Sequence, residues 1–240
     1  MYNEYHSLAR HIQELELGDY LEFGCGDGGF LKHVLEQNES FKSVTAVDIN
    51  LESVKQARTT LEAFNIHFLV QENLPLGLEA NQFDTITLSN TLHHLRDKTA
   101  VLSELKRLIK RDGQIIITEM ISNDLTEAEQ TYCRFHALRA EVDRLHGVFH
   151  ETTYTSNEIL DMVSKADLRI GSNEILLNSK EAAPDKIEVA EMEAIIDDLI
   201  KAESKRPEFP ALKETAVSIK AHLHQHGIKR PRQLYLVTTN

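Results

Sequence analysis

Apolar and polar positions along this chain follow two alternating rhythms. Short apolar runs occur at Tyr20-Leu21-Glu22-Phe23, Ser43–Asp48, Ile66–Val70, Phe83–Leu88 and Gln114–Glu119. Between them lie stretches with apolar residues at spacings of three and four, the period of a helix with one buried face. Leu8, Ile12 and Leu15 mark such a face within residues 2–16, and Phe30, Leu31, Val34 and Leu35 mark a second. Leu51–Phe64 and Lys98–Lys110 continue the series, the latter followed by the turn Arg111-Asp112-Gly113. Strands alternating with helices at this rhythm predict βαβ units and a parallel sheet covered on both faces. Beyond residue 120 the helical period dominates. Residues 123–148 predict a long helix and Ser156–Ala166 another. Leu168–Leu177 is a strand broken by Gly171, and Gln233–Thr238 is the last strand. Between these two strands, Ala182–Gly227 predicts a charged helical pair, punctuated by Pro207 and Pro210 and closed by Gly227. The pair reads as an αα-hairpin inserted into one domain.

The first strand ends on an acid and runs straight into glycines: Glu22-Phe23-Gly24-Cys25-Gly26-Asp27-Gly28-Gly29. Such a turn lets backbone pass close to a ligand, and a nucleotide-like group lying across it would meet backbone N–H groups and the start of a helix. Gly24, Gly26 and Gly29 satisfy the dinucleotide-binding G-x-G-x-x-G spacing, a weak signal alone. Glu22, Gly24, Gly26 and Gly28 satisfy the acidic-x-G-x-G-x-G pattern of S-adenosylmethionine-dependent methyltransferases. Asp48 closes the second strand about 20 residues on, where an acid accepts hydrogen bonds from ribose hydroxyls in both families. The fourth-strand segment Phe83-Asp84-Thr85-Ile86-Thr87-Leu88-Ser89-Asn90-Thr91-Leu92-His93-His94-Leu95 separates them. It resembles the F-D-apolar strand followed by L-H-H of small-molecule methyltransferases. Asn73-Leu74-Pro75-Leu76 resembles their Leu-Pro-apolar turn, and Asp112-Gly113-Gln114 their turn before the fifth strand. The chain therefore resembles a class I S-adenosylmethionine-dependent methyltransferase, well over residues 18–120 and by fold beyond.

That resemblance implies an α/β, Rossmann-like seven-stranded, mostly parallel sheet with helices on both faces and an inserted helical hairpin before the last strand. Residues 1–240 would form one methyltransferase domain, with 120–156 and 180–230 as helical cap elements over the acceptor pocket. The implied cofactor is S-adenosyl-L-methionine. Glu22 would face its amino acid portion, and Gly24 and Gly26 its backbone, with Cys25 a small residue between them. Asp48 would hold the ribose, with Ile49 beside it. Gln71 or Glu72, with Asn73, would serve the adenine side, where the family often has an acid. Ser89 and His94 would lie near the sulfur. The reaction would be in-line transfer of the sulfonium methyl to a small-molecule acceptor, where orientation and exclusion of water are most of the task. Two other readings stand beside it. One is a non-catalytic cofactor-binding or regulatory protein on the same fold, and the other an NAD-dependent oxidoreductase.

The stretch Tyr132–His150 carries a second signal. At about 100° per residue, a helix continued to residue 150 would gather His136, Arg139, Asp143, His146 and His150 within an arc of roughly 80°. Three readings of that face remain open. It lines the acceptor pocket, with His136, His146 or His93 as base, Asp143 supporting it, and Arg139 holding an anionic group. It binds a divalent metal through His146, His150, Asp143 and His136. Or it is a surface or structural network. His222, His224 and His226 read as surface residues near a helix C-terminus.

Composition narrows the partners. A formal charge of −12 over 240 residues, without a basic run, disfavours nucleic acid. Two cysteines far apart, Cys25 and Cys133, suit a reducing cytoplasm, and the N-terminus lacks the pattern of a secretory signal. No apolar run approaches the roughly 20 residues of a membrane span. The expectation is a cytoplasmic monomer or homodimer.

Overall fold

The computed structural model describes residues 8–177 and 186–240. Its centre is one seven-stranded sheet in the order β3-β2-β1-β4-β5-β7-β6. The strands are β1 (Gly18–Phe23), β2 (Phe41–Asp48), β3 (His67–Val70), β4 (Phe83–Ser89), β5 (Ile109–Met120), β6 (Arg169–Leu176) and β7 (Gln233–Thr239). β1 to β5 pair in parallel, and β6 pairs antiparallel with β7. The helices are α1 (Ala9–Gln13), α2 (Gly29–Gln37), α3 (Leu51–Thr60), α4 (Lys98–Leu108), α5 (Glu127–Leu145), α6 (Ser156–Lys165), α7 (Lys186–Lys201) and α8 (Phe209–His226). The expected sheet and insertion are present. None of the helices among the described residues is long and apolar enough to cross a membrane.

The chain gathers into two compact units. The first holds residues up to Glu119, Asn157–Leu176 and Gln233–Asn240. Its core packs Leu31, Val34 and Leu35 of α2 and Val54 and Ala57 of α3 against Tyr20, Val44 and Ala46 of the sheet. These are the apolar positions at helical and strand periods, which explains why the sequence pattern placed them. In the second, Met120–Ser156 and Leu177–Arg232, Phe135, Leu138 and Val142 of α5 share a core with Ile196 and Ile200 of α7 and Leu212, Ala216, Ile219 and Leu223 of α8. The hairpin is thus not a freestanding pair, since α5 supplies a third wall.

Several boundaries differ from expectation for local reasons. The segment Arg111-Asp112-Gly113 does not end before a strand. Phe83 pairs with Ile109 and Thr85 with Gln114, so residues 110–113 form a bulge inside β5. A Cβ at Gly113 would stand 2.8 Å from the Asp84 carbonyl oxygen, which is why glycine occupies the bulge. Gly171 similarly falls at a register shift between Ile170 and Ser172. The first helix is described only over Ala9–Gln13, and residues 2–7 of the expected span lie outside the described residues. So do residues 178–185, which include the first residues of the expected helical pair.

Candidate active site

β1 has β2 on one side and β4 on the other, so the crossover connections diverge at its carboxyl end. Ligands of open α/β sheets bind at such a switch point. The glycine turn lies there. Gly24 has φ +77°, and a Cβ on it would meet the Thr91 side chain at 2.5 Å, so β1's turn packs directly on the segment after β4. Gly26, at φ +52°, has no atom within 4 Å of where its Cβ would be; its face is open to a ligand.

The turn's amides are already engaged. Gly24 and Cys25 N–H both donate to the Val47 carbonyl at 2.8 and 3.0 Å, and Gly26 N–H donates to Asp48 Oδ2 at 2.8 Å. Gly28 N–H donates to the Cys25 carbonyl at 2.9 Å and Gly29 N–H to Asp27 Oδ1 at 3.0 Å. The expectation that a ligand would meet backbone N–H groups at this turn is corrected at these residues. A pyrophosphate cradle needs such donors, whereas a ligand ammonium needs acceptors. Asp48 also accepts the Asn50 N–H at 2.9 Å, and Asn50 in turn caps α3 through the amides of Glu52 and Ser53. The half-buried Asp48 carboxylate is therefore fixed by two backbone bonds and keeps lone pairs for hydroxyl donors.

Beyond Asp48, Ile49 is 64% exposed, Val70 45% and Leu74 38%, an apolar set at the ends of β2 and β3 that suits a flat base. Gln71 is tied to β2 by its N–H to the Asp48 carbonyl at 3.0 Å, and its side chain donates to the Asn73 carbonyl at 3.0 Å. Glu72 and Asn73 are exposed. Ser89, at the end of β4, accepts a hydrogen bond from Thr118 at 3.0 Å, and the next residue, Asn90, takes a left-handed φ of +48°.

Glu22 stands apart from its expected role. Its carboxyl is buried and accepts hydrogen bonds from the hydroxyls of Tyr20 and Thr87. Burial pushes its pKa up to about 8. It belongs to a polar network inside the sheet beneath the turn. Cys25 is buried too, and burial raises its thiol to about 12, which makes it a poor nucleophile.

One residue escaped the sequence reading. Glu119, at the end of β5, is fully buried; its Oε1 lies 2.7 Å from His93 Nδ1, and its Oε2 accepts the Leu92 N–H at 2.9 Å. The signal was available, since an acid closing a buried strand also marks Glu22 and Asp48. His93 is buried in a short 3-10 turn over Leu92–His94, and exposed His94 lies against it with ring centroids 4.3 Å apart.

The histidine face of α5 is rearranged. The helix starts at a capping box of Thr126 and Glu129 and stops at Leu145, with His146 as C-cap and Gly147 at φ +78°. The chain reverses there instead of continuing to His150. His150 returns to Asp143, Nδ1 to Oδ2 2.6 Å, and to His136, Nε2 to Nε2 3.1 Å. Asp143, His150 and His136 thus form a chain whose two histidines are buried. His146 leaves this group. It is half exposed and bonds Glu203 at 2.8 Å, which also holds Arg206 at 2.6 Å. Arg139 is exposed. The expected i, i+4 metal pair of His146 and His150 is therefore not formed, because the helix that would align them ends first. Asp143 occupies the far nitrogen of His150 and stands behind it.

Residues 21–115 match a family model described as a methyltransferase domain. Among curated relatives, a stretch of 127 residues is 33% identical to the polyketide synthase component of lovastatin nonaketide synthase from Aspergillus terreus, covering 50% of this chain and 4% of that protein. Another, of 126 residues, is 31% identical to a tRNA U34 carboxymethyltransferase from Alteromonas mediterranea, covering 48% of this chain and 36% of that one. The chain spans between 3% and about half of the length of the curated relatives it matches. The solved structure of the YcgJ protein from Bacillus subtilis shares the fold at a TM-score of 0.61 and 18% identity, over 98% of this chain and 97% of that one. Over residues 21–115 the chain is thus similar to methyltransferase domains, and its seven-stranded sheet is the fold it shares with that solved structure.

Proposed function

We propose that this chain transfers a methyl group from S-adenosylmethionine to a small-molecule acceptor. The observation that carries the cofactor reading is the glycine turn, whose amides are spent within the protein while Gly26 faces open space. A dinucleotide phosphate finds few donors at that turn, whereas the cofactor's ammonium would meet backbone carbonyls. Asp48 would accept the ribose hydroxyls, and Ile49, Val70 and Leu74 would cover the base. The cofactor, when bound, supplies an electrophilic methyl on positive sulfur. The protein's own work is orientation, exclusion of water and, for an acceptor that must lose a proton, holding that proton.

His93 is our choice for that proton. Glu119, 2.7 Å from its Nδ1, orients the imidazole and would stabilise its protonated form. Both groups lie at the carboxyl ends of β4 and β5, in the same unit as Asp48 and Ser89. A competing assignment puts the base on His136, with His150 and Asp143 relaying charge as a hydrogen-bonded chain. Arg139 would then serve an anionic acceptor group. The net charge of −12 favours a small acceptor over a polyanion.

A screen of labelled methyl transfer over metabolite extracts and bulk tRNA tests the reading. Transfer into small molecules that is lost in Asp48→Ala supports it. Transfer into tRNA alone, or none with any fraction, would overturn it.

A further inference from the structure

His222, His224 and His226 alternate along the end of α8, and the structure divides them. His224 pairs with Glu193 of α7 at 2.9 Å. His222 and His226, one helical turn apart, lie with ring centroids 4.4 Å from each other. Glu127, in the first turn of α5, completes the group, its Oε2 3.1 Å from His222 Nε2. One donor atom from each of the three lies within 4.8 Å of the other two. All belong to the second unit.

A further contact positions His222. The Thr131 hydroxyl donates to the Glu127 carbonyl at 3.2 Å and lies 2.7 Å from His222 Nδ1. Thr131 thus holds the ring through Nδ1 and turns its Nε2 toward Glu127. A back-bonded Nδ1 is also the support that metal-ligating histidines have.

We propose that Glu127, His222 and His226 bind a divalent transition-metal ion of the zinc class. Two imidazoles spaced i, i+4 on one helix face, plus one carboxylate, form a common donor set for such ions, with a fourth position left for water. Calcium and magnesium prefer oxygen-only shells and fit it poorly. The ion ties the first turn of α5 to the last turn of α8. Its charge lies at a helix C-terminus, where cations are favoured, and Glu127 lies at a helix N-terminus, where anions are. Its role is to brace the three-helix core, independent of methyl transfer.

The test uses the full chain without a histidine tag, stripped by a chelator and titrated with zinc chloride by calorimetry. Cobalt(II) absorption serves as a second readout. The expected result is one zinc per chain, with a higher thermal midpoint and the visible bands of a tetrahedral cobalt site. Affinity falls by on the order of tenfold or more in both His226→Ala and Glu127→Gln, while His136→Ala and His150→Ala keep it. Two outcomes overturn the proposal. One is no zinc binding by the wild type; the other is binding that both His226→Ala and Glu127→Gln leave unchanged. Circular dichroism of the metal-free variants separates lost ligands from lost fold.

Discussion

The glycine turn after β1 and the histidine chain beside α5 contrast in how their parts come together. At the turn, Gly24, Gly26 and Asp48 are set by strand ends and the backbone of two adjacent strands. The Val47 carbonyl and the Asp48 carboxylate hold the amides from across one strand pair. At α5, the group forms only because the chain reverses at Gly147 and brings His150 back over His136 and Asp143. The first arrangement follows from local conformation, and the second from a fold-back that no helical period predicts. The position of chemistry written in a strand-turn-helix motif is therefore recoverable from sequence, though not each side chain's partners, whereas a cluster built by a reversal is recoverable only as a composition.

The contrast can be broken by substitution. The largest expected effect is at the proton-accepting histidine. His93→Ala should lower kcat by roughly 10²–10⁴-fold with little change in cofactor affinity. His136→Ala should have the smaller effect of the two, and the reverse order would move the base to the chain of Asp143, His150 and His136. Next comes Asp48→Ala, which removes an acceptor of charge-assisted hydrogen bonds. It should weaken S-adenosylmethionine binding by about tenfold to a hundredfold by calorimetry, because such bonds contribute about 1.5–3 kcal/mol each. An unchanged affinity would remove Asp48 from the site.

A milder effect concerns Glu22. Its pKa is ordinarily near 4.5 and is raised to about 8 in the fold, chiefly by burial. The unfolded chain releases this proton near the lower value, while the folded chain keeps it to the higher. Stability from this group is therefore full below about 4.5 and is lost as pH rises toward 8. Glu22→Gln, a shape mimic of the neutral acid, should flatten that fall in a denaturation series across pH. An unaltered slope would show that Glu22 is ionised when folded. The smallest effect belongs to His146→Ala. His146 is half exposed, and the buried Glu203 keeps Arg206 when His146 is removed, so stability should drop only slightly and turnover should hold. A turnover loss as large as that of His136→Ala would restore His146 to the site.

Much of the fold was legible because strand and helix periods coincide with burial. Tyr20, Val44 and Ala46 line the sheet side, and Leu31 and Val34 the helix side, as their spacing requires. The glycine turn was legible for the same local reason, although its amides turned inward. Glu22's partners are not legible, because alternation along a strand assigns a face without telling whether a partner waits there; Thr87 sits opposite it in register on β4. Glu119 went unremarked because its importance comes from His93, 26 residues earlier in the chain. The α5 cluster was overextended because a helical wheel has no term for Gly147, whose positive φ ends the helix.

The central claim is that the β1 turn and Asp48 hold S-adenosylmethionine, and calorimetric titration of the purified chain tests it most directly. S-adenosylmethionine and S-adenosylhomocysteine should bind one per chain, and NAD should give no heat. NAD binding with no response to either adenosyl ligand would contradict the account.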